Sequence, residues 1–345
     1  MKKCKGCGSL LQNSEPKKIG YTKDINKDYC MRCFRLVHYG DNSSLSLEKI
    51  DNNKTLELYK NYKDSLFVLI VDSFDALNLL NDDLLDYFNN YKVLLVINKI
   101  DLLPRSIKDD KIDDLFTNII NKLSKRNIVD CLLTYKGDSS FNELFYETIN
   151  NLKFKSLVFV GRVNAGKTTI INKLFLNNEL TVSMYPGTTS DINIICKDDF
   201  TFIDTPGLID SNSFISLLSK KDVKSLIPTK CVKPRVFQIY NEQAYFVEGL
   251  ASFIVRPKKN ASICFYINNN LEIHRTKESN YEGYYTNHIN EYKLKLLPFS
   301  EKVYKMSDSI TYYIKGLGFI RIIGKSNVKI NIHKSIEIYK LEVNL

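Results

Sequence analysis

The sequence predicts an α/β chain: a mostly parallel sheet at its centre, a small cysteine-bearing module before it, and a β-rich or α+β domain after it. Three observations predict this. From about residue 45 to 210, short apolar runs alternate with amphipathic stretches, the pattern of strand–helix units. Residues 1 to about 40 carry two CxxC pairs and little apolar periodicity. Beyond residue 210, short β-type runs are punctuated by Gly and Pro.

In the central segment, 66–72, 93–98, 131–135, 156–161, 192–196 and 200–204 read as strands. Between them, 77–89, 112–123, 141–152 and 168–176 read as helices. Such a sheet presents ligand sites at the C-terminal ends of its strands. In the last third, 236–240, 261–266, 310–314 and 329–333 read as strands. The expected domains are 1–42, 43–212 and 213–345, and 345 residues are enough for two or three.

Composition excludes little. Apolar content of 44% and charged content of 26% are ordinary for a globular protein. No apolar run reaches the ~18 residues of a membrane span. The chain begins Met1-Lys2-Lys3-Cys4, which leaves no room for a signal or transit peptide, so a cytoplasmic location without membrane contact is expected. The net charge of +10 is uneven: +6 in residues 1–40, −6 in 41–210 and +10 in 211–345. Basic ends suit a nucleic-acid partner, and equally a face of solvated lysines. Cys131, Cys196, Cys231 and Cys264 are scattered singly and read as buried core thiols.

Gly161-Arg162-Val163-Asn164-Ala165-Gly166-Lys167-Thr168 matches GxxxxGK[ST] between an expected strand and an expected helix. Its glycines let backbone N–H groups turn toward phosphate oxygens, and the helix N-terminus adds positive partial charge. Lys167 reaches the β- and γ-phosphates and Thr168 ligates magnesium; Thr169 follows in the nucleotide-binding set. Asp204-Thr205-Pro206-Gly207 ends the strand at 200–204, with Asp204 for magnesium and the Gly207 N–H for the γ-phosphate. Pro186-Gly187-Thr188-Thr189 lies between these motifs. Thr189 is the expected switch ligand of magnesium, with Thr188 the alternative.

Asn98-Lys99-Ile100-Asp101 is NKxD, the guanine-reading motif. An ionised Asp101 accepts from guanine N1–H and the 2-amino group, a donor pair that adenine lacks. Thr134-Tyr135-Lys136 stands where Ser-Ala-Lys backs the base, with Tyr135 departing from the pattern. The bound nucleotide is therefore GTP or GDP. The guanine motif precedes the phosphate loop, the reverse of the ordinary order, so the GTPase domain reads as circularly permuted.

Cys4 and Cys7, with Cys30 and Cys33, form two CxxC turns able to close a tetrahedral S₄ zinc site. The segment has too few apolar residues to fold without a staple.

Taken together, the chain resembles the YqeH family of circularly permuted GTPases. The likeness rests on the Cys4-Lys5-Gly6-Cys7-Gly8 and Tyr29-Cys30-Met31-Arg32-Cys33-Phe34 segments and on Val71-Asp72-Ser73-Phe74-Asp75. Ile273-His274-Arg275-Thr276-Lys277 and Gly316-Leu317-Gly318-Phe319 are similar to the family's C-terminal domain. The resemblance implies an assembly factor for the small ribosomal subunit, with ribosomal RNA as partner and a monomer off the ribosome.

Lys167, Thr189, Gly207 and Asn164 are the expected catalytic set. Leu208 stands where many GTPases carry a water-orienting Gln. Asn164 is either a potassium ligand supporting slow, potassium-stimulated hydrolysis or a brace of the loop. In the C-terminal domain, Lys258, Lys259, His274, Arg275 and Lys277 are candidate RNA contacts, and Tyr284, Tyr285 and Phe319 candidate stacking platforms. The rival reading is a non-catalytic guanine-nucleotide-sensing scaffold for a protein partner.

Overall fold

The computed structural model describes residues 2, 4, 10–16, 20–31, 34, 52–105, 116–117, 119–123, 126–175 and 192–341. These group into two compact units. The first holds residues 1–72, 83–99 and 123–209, and the second residues 73–82, 100–122 and 210–345. Residues 73–82 and 100–122, inside the expected 43–212 span, group with the C-terminal residues.

In the first unit, β1 (Leu66–Asp72), β2 (Lys92–Asn98), β3 (Ile128–Leu133), β4 (Ser156–Gly161), β5 (Asn193–Lys197) and β6 (Phe200–Asp204) form a six-stranded sheet in the order β3-β2-β1-β4-β6-β5. Every pairing is parallel except β5 with β6. Strands β1, β2 and β4 are buried along nearly their whole length, which accounts for their continuous apolar runs.

Each face of that sheet has its own cover. On one, Leu66, Val68, Ile70, Leu157 and Phe159 pack against α2 (Phe141–Leu152) and α3 (Lys167–Phe175). Phe141, Phe145, Thr148 and Ile149 of α2 are buried, a helical stripe, and Lys153 ends the helix in the left-handed region at φ 60°. On the other, Phe67 meets Tyr59 from α1 (Asn52–Tyr59) at 5.6 Å between ring centroids and Tyr91 at 4.4 Å.

The strands expected at 310–314 and 329–333 are parts of the longer Ser300–Ile314 and Gly318–Ile332, and the one expected at 192–196 is Asn193–Lys197. Two elements of the central segment differ further. The helix expected over 77–89 is replaced by the 3-10 turns Leu79–Asn81 and Asp83–Phe88. Asn78 and Asp82 are buried polar residues, Asn81 Nδ2 donates to Asn78 Oδ1, and the chain passes between units after Asp82. Side chains that bond locally favour turns over a helix interior. The strand expected at 131–135 starts earlier, at Ile128, and ends at Leu133. Of the helix expected at 112–123, residues 112–115 and 118 lie outside the described residues, as does Leu176 at the end of the phosphate-loop helix.

The second unit is an antiparallel sheet: β11 (Ile273–Lys277), β8 (Gln243–Val247), β9 (Ala251–Pro257), β13 (Gly318–Ile332), β10 (Ala261–Ile267) and β7 (Arg235–Ile239) in that order, with β12 (Ser300–Ile314) pairing β13 and β14 (Ile338–Leu341). Strand β13 changes partner along its length. Residues up to Ile323 pair β10, and those from Ser326 pair β9. Gly324, at φ 99°, sits at the change, where a Cβ would come within 2.8 Å of the Asn260 carbonyl oxygen. Tyr245, Phe253, Phe265, Tyr312 and Ile320 fill the core. The helix α4 (Tyr281–His288) belongs to a second cluster that includes Phe246 and Ile254.

The four single cysteines are not all core thiols. Cys264 is buried, Cys131 and Cys231 are half-buried, and Cys196 is exposed. Cys196 lies on β5 next to buried Ile195, and period-two alternation turns it to the opposite, exposed face.

Candidate nucleotide site

Strands β1, β2, β4 and β6 run parallel and end together, and the sequence motifs sit at those ends. Gly161 closes β4 against β1, where a Cβ would meet the Ile70 carbonyl oxygen at 2.5 Å. The loop then turns through Asn164 at φ 69° and Gly166 at φ 97° into α3. A Cβ on Gly166 would lie 2.1 Å from Asn98 Nδ2, so the glycine permits the approach of the guanine-motif strand.

Asn98 is buried. Its Nδ2 donates to the Ala165 carbonyl at 3.1 Å, and its Oδ1 accepts the Lys99 N–H at 2.8 Å. Lys99, itself at φ 64°, places Nζ 2.6 Å from both Asp72 Oδ2 and the Asn164 carbonyl oxygen. NKxD is thereby pinned to the phosphate loop. Asp101 is exposed, in the turn Ile100–Leu102 that groups with the second unit.

Lys167 is 7% exposed; its ammonium donates to Asp204 Oδ1 and to the Thr205 carbonyl. Thr205 is buried, donates to the Phe159 carbonyl at 2.7 Å, and lies 3.4 Å from the Tyr59 hydroxyl. Burial pushes the Tyr59 phenol far above its ordinary value. Leu208 is buried; its N–H donates to the Gly161 carbonyl and its carbonyl accepts from Val163 N–H. Gly207 is half-buried, and a Cβ there would press on Val163 Cγ2 at 3.1 Å. Arg162 and Thr168 are half-buried, and Asn164 and Thr169 exposed. Gly187, Thr188 and Thr189 lie outside the described residues.

Thr134 is fully buried beside β2, its N–H donating to the Ile97 carbonyl at 2.9 Å. Its hydroxyl donates to Asp138 at 3.0 Å, and Lys173 Nζ reaches both that hydroxyl and the Tyr135 carbonyl. Burial opposes ionisation of Asp138, but hydrogen bonds from Ser140 and Thr134 and the Lys173 charge hold it below its ordinary value. Tyr135 is exposed. Sequence reading missed the braces Asp72, Asp138 and Lys173 as site residues. Asp72 had a signal, since it ends a strand adjacent to the guanine-motif strand.

At the N-terminus, Cys4 and Cys30 are both buried, and the Cys30 N–H donates to Cys4 Sγ at 3.1 Å. Amide donors to sulfur suit a thiolate, so these two fit a structural zinc. Cys7 and Cys33 lie outside the described residues, and among those described no cluster of three metal-ligating side chains occurs.

Of the expected RNA contacts, Lys258, Lys259, Arg275 and Lys277 are exposed. His274 stacks on Tyr284 at 3.9 Å, and burial holds its imidazole below its ordinary value, so it is no standing cation. Arg275 donates to Gln243 Oε1 and the Gln238 carbonyl. Tyr285 is half-buried, packed on Phe299. Phe319 is not a stacking platform: it is 1% exposed, a core residue beside Phe74.

A family model described as "50S ribosome-binding GTPase" matches residues 156–244. The protein named YqeH of Bacillus subtilis (strain 168) is 33% identical over 299 residues, covering 84% of this chain and 81% of that protein. The chain belongs to the YqeH family of GTPases. This YqeH-family chain is also 30% identical over 182 residues to the tRNA modification GTPase MnmE of Borreliella afzelii (strain PKo). It is 28% identical over 153 residues to GTPase Der of Xylella fastidiosa (strain M23). It spans 36% and 32% of those two proteins' lengths. Among the described residues no helix is long and apolar enough to cross a membrane.

Proposed function

We propose that this chain is a circularly permuted GTPase that assists assembly of the small ribosomal subunit, binding ribosomal RNA in a nucleotide-dependent way. The observation that carries the reading is the meeting of Asn98, Lys99, the phosphate loop and Asp204 at parallel strand ends, although they are scattered from residue 98 to 204. In sheet order, β4 stands between the β1–β3 half and the β5–β6 half, as a chain beginning at β4 would produce.

The roles follow from position. Backbone N–H groups from Gly161, Arg162, Val163, Asn164, Ala165 and Gly166 take the phosphates, with Lys167, Thr168 and Thr169 opening the helix behind them. Asp101 reads the guanine, supported by Thr134 and Tyr135. Thr168, Asp204 and Thr189 hold magnesium, which supplies charge neutralisation on the phosphates when bound. Gly207 senses the γ-phosphate. Asn164 assists a potassium ion, and hydrolysis is slow because Leu208 offers no group to orient water. Residues 1–42 form a zinc finger on Cys4, Cys7, Cys30 and Cys33. The basic residues 213–345 bind RNA, and the protein is a cytoplasmic monomer off the ribosome.

Crosslinking to ribosomal RNA with GTP analogue and with GDP tests this. Nucleotide-dependent crosslinks on small-subunit RNA are expected; crosslinks confined to the large subunit, or none, would overturn the assignment. Leu208 favours one rival, a sensor that binds nucleotide without turnover. GTP hydrolysis measured with subunits, in potassium and in sodium, separates the two.

A further inference from the structure

The chain passes between its two units five times, and three of the crossings, Asp72–Ser73, Lys99–Ile100 and Ile209–Asp210, lie just beyond a strand that carries nucleotide motifs or flanks them. The first crossing lies within Val71-Asp72-Ser73-Phe74-Asp75, a motif that the nucleotide chemistry leaves unused. We propose that this motif couples occupancy of the guanine side of the site to the β12–β13 hairpin of the second unit; the proposal rests on the nucleotide-binding reading above.

Its two carboxylates face different partners. Asp72 accepts from Lys99 Nζ at 2.6 Å, and the same ammonium holds the Asn164 carbonyl of the phosphate loop at 2.6 Å. Ser73–Ala76 is one helical turn, so Asp75 follows Asp72 through a short, regular spacer. Asp75 Oδ1 accepts from the Tyr313 hydroxyl. The Phe74 ring stacks on Phe319, 5.6 Å between centroids and 24° between planes. Tyr313 and Phe319 are directly opposed across the hairpin, with rings 5.2 Å apart.

The hairpin end is built to hold this grip. Phe74, Tyr313 and Phe319 are 8%, 2% and 1% exposed, so the aromatic contact is sealed from water. Gly316, at φ 78°, and Gly318 allow the tight connection from β12 into β13 that presents Phe319. A nucleotide that orders Lys99 orders Asp72, and one helical turn later the chain is already fixed in the hairpin. The link from one unit to the next is the covalent chain itself, and coupling of two linked equilibria is typically a roughly 5–150-fold effect.

GDP isolates this route, because it fills the guanine side without a γ-phosphate to engage Asp204–Gly207. The test is hydrogen exchange on the full chain with and without GDP. Slowed exchange is expected in peptides spanning 161–170 and, by about fivefold or more, in those spanning 310–322. Tyr313→Phe keeps the ring and its packing; it should keep the first effect and lose the second, and Asp75→Ala, which removes the acceptor, should do the same. Protection of 161–170 without protection of 310–322 in the wild-type chain would overturn the coupling, as would full hairpin protection in both variants. Protection of neither segment would instead overturn the nucleotide reading on which the coupling rests.

Discussion

Lys167 and Asp204 form a buried ion pair, and the lysine ammonium also donates to the carbonyl of Thr205, the residue after its partner. The phosphate-loop lysine and the proposed magnesium carboxylate thus neutralise each other across the space between β4 and β6. Nucleotide and magnesium would replace that pairing with phosphate for the one and metal for the other.

Removing one member strands the other. Lys167→Met leaves the Asp204 carboxylate buried without a cation, which should cost about 3 kcal/mol or more. A lower urea midpoint for the nucleotide-free protein, together with lost GTP binding, is the expected result. An unchanged midpoint would show that the pair contributes nothing to the fold.

Gly166 and Asn98 should couple energetically. Gly166→Ala drives a Cβ into Asn98 Nδ2 and forces a side chain into the left-handed region, for a loss of about 1–3 kcal/mol. Asn98→Ala removes the obstacle as well as the Ala165 hydrogen bond. The double variant should therefore lose less stability than the two single losses added together. Urea unfolding of all four proteins measures this.

Lys315 anchors the segment that leaves the DTPG motif. It is 3% exposed, with Nζ 3.1 Å from Asp210 and 2.8 Å from Glu337. Lys315→Met should destabilise the second unit by about 3 kcal/mol, the lower end for a buried pair because Glu337 keeps part of its surface in water. The same group makes stability depend on pH. Burial alone would raise Glu337, but hydrogen bonds from Lys315, Tyr339 and Asn212 and the Lys315 charge hold it below its ordinary value of 4.5. A depressed carboxylate contributes in full above the unfolded value and loses that contribution as pH falls through the folded one. Thermal midpoints should therefore fall below about pH 4.5, and less steeply in Glu337→Gln.

Zinc removal should act locally. If the proposed zinc is bound, chelation, Cys4→Ser or Cys30→Ser should release one zinc per chain and abolish amide protection over residues 10–16 and 20–31. Protection of α3 and of the sheet should be unchanged. Metal analysis that finds no zinc in the purified protein would overturn the assignment.

Much of the first unit was legible because its signals are local. The runs at 66–72, 156–161 and 200–204 are buried strands with boundaries that coincide with the expected ones. The phosphate loop announces itself because its glycines and lysine must be neighbours in sequence. Other features were not legible, since their signals depend on distant partners. Residues 77–89 have apolar content enough for a helix, yet buried Asn78 and Asp82 turn them into short 3-10 segments. Phe319 looked free to stack on a base, and Phe74, some 245 residues earlier, covers it.

The sequence by itself determined which groups are candidates for phosphates, guanine, magnesium and zinc, and that NKxD precedes GxxxxGK[ST] in the chain. Those properties reside in residue types at short spacings, and the backbone expresses them wherever a strand meets a helix. Tertiary structure alone decided which groups brace the site and where each motif is anchored. Asp72 with Lys99, Asp138 with Thr134, and Tyr313 with Asp75 are pairs whose separation in sequence ranges from 4 to 238 residues. Desolvation and packing select such partners, and both depend on the whole fold rather than on any window of the chain.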